Sequence, residues 1–98
     1  MAYIRVTIVV RGLTEPEVAD GLSDLIVEFH QRDWLANPSA SWDVARGGLV
    51  VTVDYEGPDA ERCGRAVLDE VRDCVVACLD FSSDIQFEIE DASVLPVA

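Results

Sequence analysis

Few side chains in this sequence could do chemistry: three cysteines, one histidine and a large surplus of carboxylates. Cys63, Cys74 and Cys78 recur at helical spacing along one apolar stripe with Val67, Val71 and Val75. Residues four apart on a helix hold their Cβ atoms about 5 to 6 Å apart. A disulfide needs roughly 4 Å, so Cys74 and Cys78 cannot close one without distortion. Zinc would need a fourth ligand and a C-x-x-C knuckle, and neither is present. The three thiols therefore read as reduced core residues that bind no metal. Their odd number and helical placement suit a reducing compartment.

His30 is the one side chain whose ordinary pKa lies near neutrality. Asp33 could orient it, but no serine or cysteine is placed by sequence as its nucleophile, so it reads as a surface or helix-end histidine. Asp80 to Asp84, followed by Glu88, Glu90 and Asp91, spaces oxygen ligands somewhat as a calcium loop does. Ile85 stands where an EF-hand needs glycine, and a strand follows instead of a helix, so the stretch reads as a solvated acidic turn. Trp34 and Trp42 flank an Asn37-Pro38 loop and read as caps on the core. No G-x-G-x-x-G, G-x-S-x-G or H-E-x-x-H motif occurs. No cofactor is expected.

The charge excludes more than the motifs do. Nineteen carboxylates face seven basic residues, a formal net charge of -12, and every basic residue is arginine. Nucleic-acid and anionic-lipid binding require cations to neutralise phosphates, so both are excluded as partners, and a basic or neutral protein partner is favoured. The lack of lysine closes Schiff-base chemistry and the P-loop phosphate site. Carboxylates gather in three places. Glu17, Asp20, Asp24 and Glu28 lie on a first helix, Asp54, Glu56, Asp59 and Glu61 at a strand-to-helix turn, and Glu88 and Glu90 on a last strand. These ten are the expected partner-binding residues. The expectation is a non-enzymatic acidic protein-binding module, a regulator, inhibitor or immunity-type protein covering a basic surface. The alternative is a small-molecule sensor or cofactor-free enzyme. Its pocket would lie between helices and sheet or at a sheet-to-sheet dimer interface, lined by His30 and the tryptophans.

The elements that must position these residues follow from periodicity. Residues 3–10 alternate with Ile4, Val6, Ile8 and Val10 on one face, a half-buried strand. Thr14-Glu15-Pro16-Glu17 is a capping box with proline in the first turn, and Val18, Leu22, Leu25, Ile26 and Phe29 continue as a helical stripe to about Asp33. Asn37-Pro38-Ser39 reads as a turn. Residues 42–46 and 49–56 flank Gly47-Gly48 as a tight hairpin. Gly57-Pro58-Asp59 opens a second helix ending near Asp80, and residues 84–90 alternate as a last strand.

Strand, helix, strand, strand, helix, strand is the ferredoxin-like βαββαβ order, an α+β fold with a four-stranded antiparallel sheet and two helices on one face. The chain reads as one domain over 1–98, with 93–98 a loose tail. No apolar run approaches the roughly 20 residues of a membrane helix, and the expected location is cytoplasmic. With strand order 4-1-3-2, the uncovered face would carry Tyr3, Thr7, Val9, Val50 and Thr52, with Arg5 and Arg11 opposite Glu88 and Glu90. That half-apolar face suggests a homodimer.

Overall fold

The computed structural model describes residues 2–96 and has the expected βαββαβ order: β1 (Ala2–Arg11), α1 (Glu15–Gln31), β2 (Ala36–Asp43), β3 (Gly48–Gly57), α2 (Ala60–Cys78) and β4 (Gln86–Val94). The strands form one antiparallel sheet in the order β2-β3-β1-β4, so the fold is ferredoxin-like. Ile4, Val6, Ile8 and Val10 alternate into the core with Leu49, Val51 and Val53, beneath Val18, Leu25 and Phe29 of α1 and Cys63, Val67, Val71, Cys74 and Val75 of α2. α2 lies over β1, β3 and β4, while α1 covers β2.

Both helices start as their sequences dictate. The Thr14 hydroxyl accepts from the Glu17 backbone N–H at 3.3 Å, and the Glu17 carboxylate accepts from the Thr14 N–H at 2.8 Å, the reciprocal capping box. The Asp59 carboxylate caps α2 by accepting from the Arg62 N–H at 2.8 Å. α1 ends at Gln31 with Arg32 as its cap, and α2 ends at Cys78 with Leu79 as its cap, each slightly before the expected boundary.

Three expectations about the sheet are corrected. Asn37-Pro38-Ser39 is not a turn but the opening of β2, where a register shift lies between Ala36 and Ser39 and Asn37 takes φ +49. An edge strand tolerates a proline that donates no ladder bond, and asparagine tolerates the left-handed region, so turn-forming residues here build a bulge. The hairpin is not a Gly-Gly two-residue turn. Residues 44–47 form it, Gly47 at φ +64 closes back on the Asp43 carbonyl at 2.9 Å, and Gly48 already belongs to β3. Finally, β4 runs on to Val94 and the Leu95 N–H donates to the Tyr3 carbonyl at 2.9 Å, so residues 93–95 are not a loose tail; residues 97 and 98 lie outside the described residues.

The sheet face away from the helices is only partly open. Tyr3 is 48% exposed, whereas Thr7, Val50 and Thr52 are half-buried and Val9 is fully buried. Val9 is not part of the core beneath the helices. Arg46, in the turn between β2 and β3, reaches Glu90 of β4 with both Nε and Nη2 at 2.6 Å while Nη1 holds Asp43 at 2.7 Å. With β1 between the hairpin and β4 in the sheet order, this fork spans the strand that carries Val9.

Candidate functional site

All seven arginines pair with carboxylates, which settles where much of the acidic charge is used. Arg11 meets Glu88, as the strand order suggests, but Arg5 turns to Asp54 on the other neighbouring strand, and Glu90 is taken by Arg46. Arg32 bridges the helices through Glu70 at 2.7 Å and Glu28 at 3.3 Å, with its Nε buried and unpaired. Glu61 pairs with Arg65 along α2, and Asp59 caps that helix. Glu17 caps α1 and also accepts from the Ser82 N–H at 2.9 Å, so the α2–β4 connection is tied to α1. Its carboxyl is held below the ordinary range, chiefly by the Thr14 N–H. Asp20, Asp24 and Glu56 have no such bond among the described residues. The ten carboxylates therefore do not form one patch.

Two clefts stand out on the surface of the described residues. One, about 460 Å³, lies between α1 and the α2–β4 connection, where Asp20, Asp24 and Asp80 face Phe81 and the half-buried Cys78. Among the described residues no group of three histidine, cysteine, aspartate or glutamate side chains is arranged to hold a metal ion. Neither cleft takes in His30, which is exposed near the end of α1, nor the tryptophans; Trp34 is exposed and Trp42 packs on the core. Cys63, Cys74 and Cys78 are free thiols, the first two buried, and burial pushes Cys74 up to about 11.

The second cleft, about 530 Å³, lies at the end of the sheet where β1 begins and β4 ends. Its wall is mostly apolar, from Ala2, Tyr3, Ala36, Val94, Leu95 and Pro96, with one polar corner made by Asn37 and Asp54. Asp54 is 3% exposed and is the one buried charged residue among those described. Its carboxylate accepts from Arg5 Nε at 2.9 Å and Nη2 at 3.1 Å, and from Asn37 Nδ2 at 3.0 Å. The Arg5 hydrogen bonds hold its carboxyl below the ordinary range against the opposing effect of burial, and Asn37 adds to them. Such a group stays ionised at neutral pH and accepts hydrogen bonds, but it is a poor proton donor. Sequence reasoning placed Asp54 at the strand-to-helix turn and counted it as surface charge. Its cross-strand position opposite Arg5 was the missed signal, since the register Arg5↔Asp54 puts a cation directly across from it.

No protein-family model and no curated protein matches the sequence. Among solved structures, the chain is similar to one from Bordetella bronchiseptica described as a "putative antibiotic biosynthesis monooxygenase", with 19% identity, a TM-score of 0.48, and 90% of this chain and 96% of that one covered. The expectation of a non-enzymatic, acidic inhibitor or immunity-type module is corrected, because seven of the ten carboxylates meant to form its binding surface are bonded within the fold. No helix among the described residues is long and apolar enough to cross a membrane.

Proposed function

We propose that this chain binds a small, largely apolar, uncharged molecule in the cleft at the open end of the sheet. The observation that carries the reading is Asp54, a buried carboxylate held by Arg5 and Asn37 at the one polar corner of an otherwise apolar cleft. Ligand sites generally combine such walls with a few fixed polar groups, and the volume lies in the usual range of about 300 to 1,000 Å³. The net charge of -12 disfavours anionic ligands, and the apolar wall disfavours strongly hydrated cations. A carboxylate kept ionised by its partners serves as an anchor rather than a proton donor, so the reading is one of binding, as in a sensor. The free thiols fit a reducing, cytoplasmic setting.

The test is a titration of isotope-labelled protein with small neutral aromatic and aliphatic compounds, followed by amide chemical shifts. Saturable shifts confined to Tyr3, Ala36, Asn37 and Val94 are expected. Shifts centred instead on Asp20, Asp24 and Phe81, or no saturable shifts from any compound, would overturn the reading.

A further inference from the structure

We infer that the ligand of this cleft is recognised by a hydroxyl group that it donates to the side-chain carbonyl of Asn37, with Asp54 and Arg5 as the residues that position that carbonyl. This rests on the small-molecule reading of the cleft. The two ends of an asparagine amide are nearly alike in shape but opposite in chemistry, since one only donates and the other only accepts. A carboxylate whose oxygens already accept two N–H groups from Arg5 has nothing to donate. Asn37 must therefore present its NH2 end to Asp54, as the 3.0 Å bond from Nδ2 to Oδ2 shows. The carbonyl end is thereby turned away from Asp54, and among the described residues it meets no donor. Asn37 is exposed and lines the cleft.

The backbone is built for the same outcome. The bulge between Ala36 and Ser39 takes Asn37 out of the ladder, and its φ of +49 is a conformation that asparagine tolerates and β-branched residues do not. Strained conformations of this sort collect at binding sites. An alcohol can donate to the open carbonyl and also accept from the second amide N–H, whereas an ether can only accept. The surrounding wall of Tyr3, Val94, Leu95 and Pro96 suits an aromatic or aliphatic body beneath that hydroxyl.

The matched probes are para-cresol and its methyl ether, titrated into the protein and read by amide shifts. The expected result is cleft-centred binding of both, with a preference for the phenol of roughly three- to tenfold, the value of one partly exposed hydrogen bond. In Asn37→Gly, which keeps the positive φ and removes the carbonyl, the preference should vanish. In Asp54→Asn, where either amide end can face the new partner, it should narrow, and Asn37→Gly answers the question alone if that variant does not fold. A phenol preference that persists in Asn37→Gly, or equal binding of the two probes to the unaltered protein, overturns the hydroxyl inference and leaves the cleft reading intact. Failure of both probes to shift the cleft residues overturns both.

Discussion

Two glycines buried inside helices should respond in opposite directions to the same substitution. In a helix interior, alanine is favoured over glycine by about 1 kcal/mol. At Gly64 of α2 an added methyl would stand 3.3 Å from the Ile89 Cδ1 atom and 3.7 Å from the Ala92 Cβ. Ile89 is 39% exposed and its terminal methyl can give by a few tenths of an ångström, so most of the propensity gain survives. Gly64→Ala is expected to stabilise the protein by about 0.5 to 1 kcal/mol. At Gly21 of α1 the methyl would run into the Leu79 side chain and stand 2.8 Å from the Cys78 backbone carbonyl. A backbone atom at the end of α2 cannot swing aside, and overpacking of this kind costs about 1 to 3 kcal/mol. With the helix gain subtracted, Gly21→Ala is expected to destabilise by up to about 2 kcal/mol. In urea, where a small domain has a slope of at least about 1 kcal/mol per molar, the two midpoints should move apart by as much as about 3 M. Equal stabilisation by both substitutions would mean that propensity alone governs and that α1 does not rest against the end of α2.

Two further outcomes follow from the ionisable groups. Asp54, Glu17, Asp43 and Glu90 all have folded values depressed by hydrogen bonds from Arg5, Thr14 and Arg46, so the stability they lend is complete above the ordinary carboxylate range near about 4 and is lost as pH falls through their folded values. Tryptophan fluorescence followed from pH 7 downward should show this acid loss, shallower in Asp54→Asn; an unchanged slope would refute Asp54 as a contributor. A thiol reagent applied to the native protein should label Cys78 first and leave Cys63 and Cys74 until unfolding, because both are buried and burial raises the thiol pKa. Rapid native labelling of Cys74 would show that the helix layer opens.

What could be seen in the sequence was local. The capping box at Thr14, the alternation of β1 and the stripe of α2 are each written within one segment, and each appears as read. Asn37-Pro38 misled because the same residues serve turns and bulged edge strands, and only the pairing of β2 with β3 separates the two. The end of β4 was missed because a register shift beside Thr7 and Ile8 breaks the alternation, so Asp91, not Glu90, lies across from Thr7. The candidate site depends on partners far apart in sequence, Arg5 with Asp54 and Asp54 with Asn37, so composition counted as loose charge a group that the fold encloses. Of the two arginines set opposite Glu88 and Glu90, only Arg11 reaches that strand, at Glu88, whereas Arg46 was not matched at all, since nothing local says that a hairpin residue will cross the sheet to Glu90.

The two register irregularities have a consequence for how the sheet meets the outside. β2 and β4 are its rims, and each is interrupted: β2 by the bulge and by Pro38, which has no N–H to offer, β4 by the shift opposite Thr7 and Ile8. A stranger's strand laid along either rim would find the donor and acceptor rhythm broken within a few residues. Growth by strand addition, the route by which exposed sheets turn into fibrils, is thus discouraged in both directions without any lysine to guard the margins.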